Sequence, residues 1–360
     1  MVWLILLFPA LLQADEIREE ATNFKSTVIG IIRVEEKIRE DGTKFKQQDL
    51  KLLGLEGSWK NKEIIYNGIS DIEVANANFY KVGDEVYVGR YVDEFDQEIF
   101  YVVDFVRSGY LYILFIIFVL AVLLVGRSKG LKALISLFLS FVVIIKFILP
   151  QILSGRDPFL ISLIGSLIIL GIIIYLTEGF KRKSHIAILS VLISLSATMI
   201  LSVIFTKLTK LSGLAQEEAA FLIGVGNIEI NFQGLLLAGF IIGAIGVLDD
   251  IIVGQVEAVE QIREANPNLS TKKVFKLAYR VGNTHLGAIV NTLFLTYAGA
   301  ALPLLLLFIM NQNSGLTFSR LINTEIVSTE IVRTLVGSIG VILSMPIATF
   351  LASIKLKNIK

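Results

Sequence analysis

The sequence predicts a membrane α-helical bundle of about seven spans that follows a small all-β domain. Three observations predict this class. The 360 residues are 54% hydrophobic, with a mean hydropathy of +0.72, and the apolar residues fall into long runs. Short β-prone runs occupy residues 15–107, where acidic side chains outnumber basic ones by 20 to 13. A pair of aspartates, Asp249 and Asp250, lies inside one of the long apolar runs.

The N-terminus has the pattern of a signal peptide. Residues 1–14 (MVWLILLFPALLQA) are apolar and end in Leu-Gln-Ala before two acidic residues, which is typical of a small-residue cleavage site. A basic start is missing, so an uncleaved anchor also fits. We therefore expect three parts: a signal peptide or anchor over 1–14, an extracytoplasmic β-rich domain over 15–107, and a transmembrane domain over 108–360.

Five short β-prone runs follow one another in the second part, separated by polar, turn-forming stretches. Five strands at this spacing predict an OB-like barrel or a sandwich. The aromatic residues of this domain could bind a partner or simply form its core. The five runs are Thr27–Val34, Leu50–Leu55, Glu63–Ile69, Glu85–Tyr91 and Ile99–Phe105.

Seven apolar segments follow, and each approaches or exceeds the ~20 residues that a membrane-spanning helix needs. Pro303 and Pro346 fall inside the last two, which helices in lipid tolerate. The segments are Gly109–Gly126, Leu131–Leu149, Phe159–Thr177, His185–Phe205, Leu235–Val253, Leu286–Ile309 and Ile331–Ile354.

Loop charges predict the orientation. Alternate connections and the C-terminal tail carry 14 basic residues, and the opposite short loops carry five. By the positive-inside rule, the first set is cytoplasmic. This places residues 15–107 outside and the C-terminus in the cytoplasm of a multi-pass protein of the bacterial plasma membrane. Glu178 and Arg333 fall at span ends, where we expect them to be solvated.

Asp249 and Asp250 are the most informative residues of the chain. One ionised carboxylate in hydrocarbon costs ~3 kcal/mol even on a lenient insertion scale, and such residues commonly mark a proton or ion path. Burial and a neighbouring like charge both favour the protonated form of a carboxylate. The alternative is that the pair lies among the inner headgroups. The apolar run Ile251–Val253 that follows it argues against that alternative.

Helical periodicity groups the glycines of the fifth segment with Asp250. The shared stripe predicts close packing of a neighbouring helix against Asp250, with Asp249 rotated about 100° away. The glycines themselves fit a packing role alone. They are Gly239, Gly243, Gly246 and Gly254.

Polar residues on other segments are candidate neighbours of the aspartates. The sixth segment has a polar stripe that includes Asn and Thr side chains, although such side chains often bond only to nearby backbone. His285 could equally be interfacial, and Lys146 of the second segment could extend to the headgroups instead. The candidates are His285, Asn291, Thr292, Thr296 and Lys146.

Several classes of function are excluded. The chain has no cysteine and only two histidines, so we expect no thiolate chemistry, no metal centre and no cofactor. Nucleotide-binding, serine hydrolase and zinc protease motifs are absent. Adjacent aspartates on one helix diverge too far to share a proton as an aspartyl protease requires. We therefore expect no enzyme activity. The basic excess lies in short loops beside spans, so we expect no nucleic-acid partner.

The run Gly239–Ala265 (GFIIGAIGVLDDIIVGQVEAVEQIREA) resembles the Gly- and Asp-bearing proton-relay helix of resistance-nodulation-division exporters and of SecD/SecF. Ala278–Thr296 is similar to the Asn/Thr-rich helix that follows it there. The chain as a whole resembles the YibE/F family of bacterial membrane proteins. The exporter resemblance implies proton coupling through Asp249 and Asp250 in a similar core. It also implies a homodimer or a related multi-pass partner chain, because one chain carries a single such helix set.

Two functions remain open at this stage. The first is a proton-coupled transporter or export-assisting protein, with the acidic outer domain contacting an unknown substrate or protein partner. The second is a non-transporting membrane scaffold or sensor whose outer domain binds a partner and whose aspartates hold helices together.

Overall fold

The computed structural model describes residues 23–38, 44–69, 79–92, 98–215, 217–223, 230–310 and 317–356. The expected signal peptide, residues 1–14, lies outside the described residues. The chain divides into two compact units, residues 1–121 and 122–360.

The first unit contains a five-stranded antiparallel sheet in the order β3-β2-β1-β4-β5. All five predicted strands are confirmed, and the first two are longer than their sequence pattern indicated. Irregular register after Val28 and after Ile31 bends β1, as extra residues in one strand do. The two end strands, β3 and β5, contact each other, so the sheet is strongly curved. The strands are β1 (Phe24–Ile38), β2 (Lys44–Gly54), β3 (Glu63–Asn67), β4 (Glu85–Val92) and β5 (Glu98–Phe105).

Alternation of apolar residues places one face of the sheet in a core. Phe24 and Val28 of β1 are buried with Leu50, Leu52 and Val86 of the neighbouring strands. The rings of Phe24, Trp59 and Phe100 pack on one another at this core. Part of the aromatic content of this domain is therefore structural.

Ten helices are described in the remaining chain. They are α1 (Ser108–Val143), α2 (Leu149–Leu153), α3 (Pro158–Glu178), α4 (Arg182–Leu208), α5 (Glu217–Ile223), α6 (Phe232–Ala265), α7 (Thr271–Ala300), α8 (Leu302–Met310), α9 (Phe318–Ile322) and α10 (Glu325–Lys355). A π-helical turn, Ile144–Ile148, joins α1 to α2.

Five helical stretches of the described chain are long and apolar enough to cross a membrane: Ser108–Leu153, α3, α4, α6 and α10. The first and second predicted spans share Ser108–Leu153, which is interrupted at Arg127, where φ is 47°. The sixth predicted span is divided between α7 and α8 and is not among the five. Sequence hydropathy located these apolar segments, but it did not reveal where the backbone breaks within them.

The helix α6 is the centre of the second unit, where it packs against α3, α4, α7 and α10. Small polar residues line the contact between α4 and α10. A Cβ added to Gly340 of α10 would collide with the Thr198 hydroxyl of α4, so glycine permits this close approach. The α4 hydroxyls donate to carbonyls four residues earlier in the same helix, which satisfies them inside an apolar bundle. These hydroxyls belong to Ser190, Ser194, Thr198 and Ser202.

Candidate functional site

The aspartate pair lies deep along α6. Asn231 caps this helix, because its side-chain oxygen accepts a hydrogen bond from Gly234 N at 2.9 Å. At the α-helical rise, Asp249 lies about 26 Å along the axis from Phe232. The apolar stretch Leu235–Val253 contains both aspartates. Its length is close to the ~30 Å thickness of the hydrocarbon layer.

The two aspartates have different surroundings. Asp249 is buried, with 8% of its surface exposed, whereas Asp250 is exposed in the single chain. Helical periodicity predicted that Asp250 faces a neighbouring helix. The structure gives the buried position to Asp249, because the stripe of α6 that contacts the other helices runs through the larger apolar residues and not through the glycines.

Asp250 lines a cleft of about 250 Å³ between α6 and α7. His285 of α7 lines the same cleft, together with Gln255 of α6. The remaining walls are mostly apolar and include Leu286 and Met345. Neither Asp250 nor His285 makes a side-chain hydrogen bond or ion pair with any residue that the structure describes. The cleft therefore presents an acid and an imidazole to whatever enters it.

The other predicted polar neighbours do not line this cleft. Asn291, Thr292 and Thr296 lie further along α7 on its exposed side. The Thr292 hydroxyl donates to the carbonyl of Ala288 at 2.9 Å, which is the backbone-bonding alternative for a threonine in a span. Lys146 lies exposed in the π-helical turn. Of the five candidates, His285 is the one that lines the cleft with Asp250.

The glycine stripe lies on the exposed side of α6. A Cβ added to Gly239, Gly246 or Gly254 would meet nothing within 4 Å among the described residues. At Gly243 the nearest atom is the Tyr297 hydroxyl, at 3.9 Å. Within one chain, these glycines therefore leave an open face beside Asp250.

Gln255 is an important residue that the sequence analysis missed. Its side chain is 5% exposed, and its Oε1 accepts a hydrogen bond from Thr349 of α10 at 2.9 Å. A Cβ added to Gly282 of α7 would lie 2.5 Å from its Nε2. Gln255 thus joins α6 to α7 and α10 just below Asp250. The sequence signal that pointed to Gln255 was its position as an amide in the polar stretch that follows an apolar span.

A charged cluster lies towards the C-terminal end of α6. Lys183 of α4 contacts Glu257 at 2.6 Å, Glu260 at 2.8 Å and Glu178 at 3.4 Å. The expectation that Glu178 is solvated was wrong, because its side chain is 17% exposed and contacts Lys183. Three carboxylates around one ammonium keep a net negative charge where α3, α4 and α6 meet.

Arg263 is a second buried cation near this end of α6. Its guanidinium donates to the carbonyl oxygens of Leu269 at 2.5 Å and Ser353 at 3.2 Å. It therefore fixes the α6–α7 connection against the last turns of α10. Ser270 caps α7 by accepting a hydrogen bond from Lys273 N.

Arg333 lies towards the N-terminal end of α10 and is partly buried, so the expectation that it is solvated was wrong. It contacts Glu330 at 2.7 Å and lies over the Phe240 ring of α6 at 5.4 Å. The span end was misjudged because α10 begins at Glu325, before the apolar segment that the sequence indicated.

A family model described as YibE/F-like protein matches residues 114–358, which is more than half of the chain. The match includes α6, α7 and α10 and leaves out the β-sheet. No match was found among curated proteins or among solved structures.

Proposed function

The chain belongs to the YibE/F-like family, and we propose that it is a proton-coupled membrane transporter or an export-assisting protein. In this proposal Asp249 and Asp250 bind protons within the membrane. The observation that carries it is the cleft that Asp250 and His285 both line, beside the buried Asp249. Intramembrane carboxylates of this kind commonly belong to ion paths.

The chemistry favours reversible protonation. A carboxylate removed from water, with a like charge on the next residue, is more stable with one proton bound. His285 lines the same cleft, and its ring nitrogens can donate or accept hydrogen bonds there. A change in charge would alter how α6 packs against α7, and repacking is a means of coupling a gradient to motion.

The proposal includes a particular arrangement in the membrane. The chain crosses the bacterial plasma membrane seven times, with an external OB-like barrel and a cytoplasmic C-terminus. The open glycine face beside Asp250 supports a homodimer or a related multi-pass partner, because an uncovered Asp250 would otherwise contact lipid.

Proton binding can be tested in proteoliposomes. We expect pH-driven proton uptake, followed with a trapped pH dye, to fall strongly in Asp250→Asn and in the double variant with Asp249→Asn. A hydrophobic carbodiimide, which modifies protonated carboxyls in apolar surroundings, should label Asp250 in the unmodified chain, and its labelling should decrease as the pH rises.

Glu264→Gln is the matched control, because Glu264 is an exposed acid at the end of the same helix. It should leave proton uptake and labelling unchanged. Equal proton uptake by the unmodified chain and by the folded double aspartate variant would reject the proposal.

A specific observation also favours the alternative of a scaffold or sensor. Ile99, Tyr101 and Val103 alternate along β5 and are all exposed, and the Tyr101 ring lies near Tyr91 of β4. An exposed apolar face on a small sheet is typical of a binding surface. If this is the main function, Tyr91→Ser with Tyr101→Ser should abolish the cellular phenotype. The aspartate variants should then show no specific response to pH.

A further inference from the structure

A second cavity lies in the membrane domain, separate from the cleft at Asp250. It occupies about 330 Å³ between α7 and α8 on one side and α10 on the other. Its walls are almost entirely apolar and include Phe294, Ala298, Leu305, Ile331 and Leu335.

The level of this cavity in the bundle can be estimated from the positions of its neighbouring residues along the helices. Glu330, which lines it, lies about 8 Å along the axis from Glu325, where α10 begins. Its partner Arg333 lies over Phe240, which is about 14 Å nearer the start of α6 than Asp249. The cavity and the Asp250 cleft are therefore at different levels of the bundle.

The surroundings of the cavity are apolar. Large side chains on its rim remain exposed, among them Phe294, Leu305 and Leu335. Under the seven-span arrangement of the proposed function, on which this inference rests, such a rim faces hydrocarbon, and apolar cavities do not retain water. The volume falls within the range of ligand pockets that combine apolar walls with a few polar groups. The occupant must be apolar over most of its length.

One corner of the cavity is polar. Glu330 contacts Arg333 at 2.7 Å, so its charge is compensated. The Tyr297 hydroxyl, at the same corner, makes no hydrogen bond with the residues that the structure describes. A partly buried tyrosine hydroxyl normally has a partner, and a donor is therefore available to an occupant of the cavity.

We propose that this cavity binds one acyl chain of a bilayer phospholipid. The chain fills the apolar walls, and the Tyr297 hydroxyl donates to the ester carbonyl of the lipid. The bilayer supplies this ligand directly, because the rim opens onto hydrocarbon. The bound lipid separates α7 from α10 at this level, while Gln255 holds the same helices together beside Asp250.

The test uses the full chain in bilayers of phosphatidylethanolamine and phosphatidylglycerol that contain a phospholipid with a diazirine on one acyl chain. After illumination, peptide mass spectrometry should find several-fold more label on the cavity walls than on Leu124 and Val125. These α1 residues are 77% and 88% exposed, so they report ordinary contact with surrounding lipid. Equal labelling at both places would overturn the proposal.

Filling the cavity gives the second measurement. Ala298→Phe, or Thr334→Phe from the opposite wall, should reduce cavity labelling to the α1 level. Leu295→Phe is the control, since Leu295 is exposed on the same helix and outside the cavity. Retained cavity labelling in both filled variants would overturn the proposal.

The competing occupant is a second copy of the chain. The chain has no cysteine, so Ala298→Cys provides a single thiol in an otherwise unchanged background. Efficient cross-linking between copies through this thiol would show that protein fills the cavity and would overturn the lipid proposal. With an acyl chain bound, the thiol at position 298 should form no cross-link between copies.

Discussion

Replacing Gly282 with alanine tests the packing that surrounds the aspartate cleft. The added Cβ would lie 2.5 Å from Nε2 and 2.8 Å from Oε1 of Gln255. Rotation of the amide away from the new Cβ would break the hydrogen bond that its oxygen accepts from Thr349. Gly282→Ala should therefore either displace α7 or break the connection from Gln255 to α10.

The expected effect follows from three contributions. Overpacking of a close contact costs about 1–3 kcal/mol, and the loss of one buried hydrogen bond costs about 1 kcal/mol. The greater helix propensity of alanine stabilises the helix by about 1 kcal/mol and offsets part of this loss. We expect the free energy of unfolding to fall by about 1–3 kcal/mol. Gly287→Ala, on the same helix and with nothing within 4 Å, should leave it unchanged or raise it by up to about 1 kcal/mol.

Reversible unfolding in mixed detergent micelles can measure both free energies. The decisive comparison adds Gln255→Ala, alone and combined with Gly282→Ala. Removal of the amide makes space for the new Cβ, so the two substitutions should couple by about 1–2 kcal/mol. Additive effects, or equal stabilities of the variants Gly282→Ala and Gly287→Ala, would refute this account of the contact.

Two further predictions concern charged groups. Lys183→Met leaves three carboxylates without their ammonium and should lower the free energy of unfolding by about 2–3 kcal/mol at neutral pH. Unfolding in detergent at decreasing pH should show that the free energy of unfolding of this variant rises again towards that of the unmodified chain, because the carboxylates become protonated. In the β-sheet domain, the hydrogen bond from Arg107 lowers the pKa of Asp104. Its small stabilising effect should be present above the unfolded pKa and disappear as pH falls through the lowered folded value. Arg107→Ala should return this pKa towards its ordinary value in an NMR titration of labelled carboxyls, and an unchanged pKa would contradict the assignment.

Local patterns predicted the elements of this protein well. Short β-prone runs between turn-forming stretches located all five strands. The pair Asp249 and Asp250 was identifiable because two acids in an apolar run are energetically unusual. These features depend on a few neighbouring residues, and such information is present in a single sequence.

The contacts that organise the site depend on residues far apart in the chain. Gln255 bonds to Thr349, and Lys183 reaches Glu257 across the interface between α4 and α6. Helical periodicity shows which residues share a stripe, but it does not show which stripe another helix covers. For this reason the glycines of α6 were expected inside the bundle, although the larger apolar side chains occupy that position.

The geometry of α6 gives two chemically identical neighbours different capacities. A rotation of about 100° per residue places Asp249 inside the bundle and Asp250 on the cleft. Burial makes the charged form of Asp249 costly, whereas an acid on a cleft is accessible to an incoming molecule. Under the proposed function, Asp250 would therefore acquire and release the proton, and Asp249 would make the ionised pair costly enough for that exchange to move α6 against α7. Asp250→Asn should then abolish proton exchange. Asp249→Asn should preserve proton exchange and weaken its coupling to the movement of α6 against α7. Distance measurements between labels on α6 and α7 at two pH values can detect this difference.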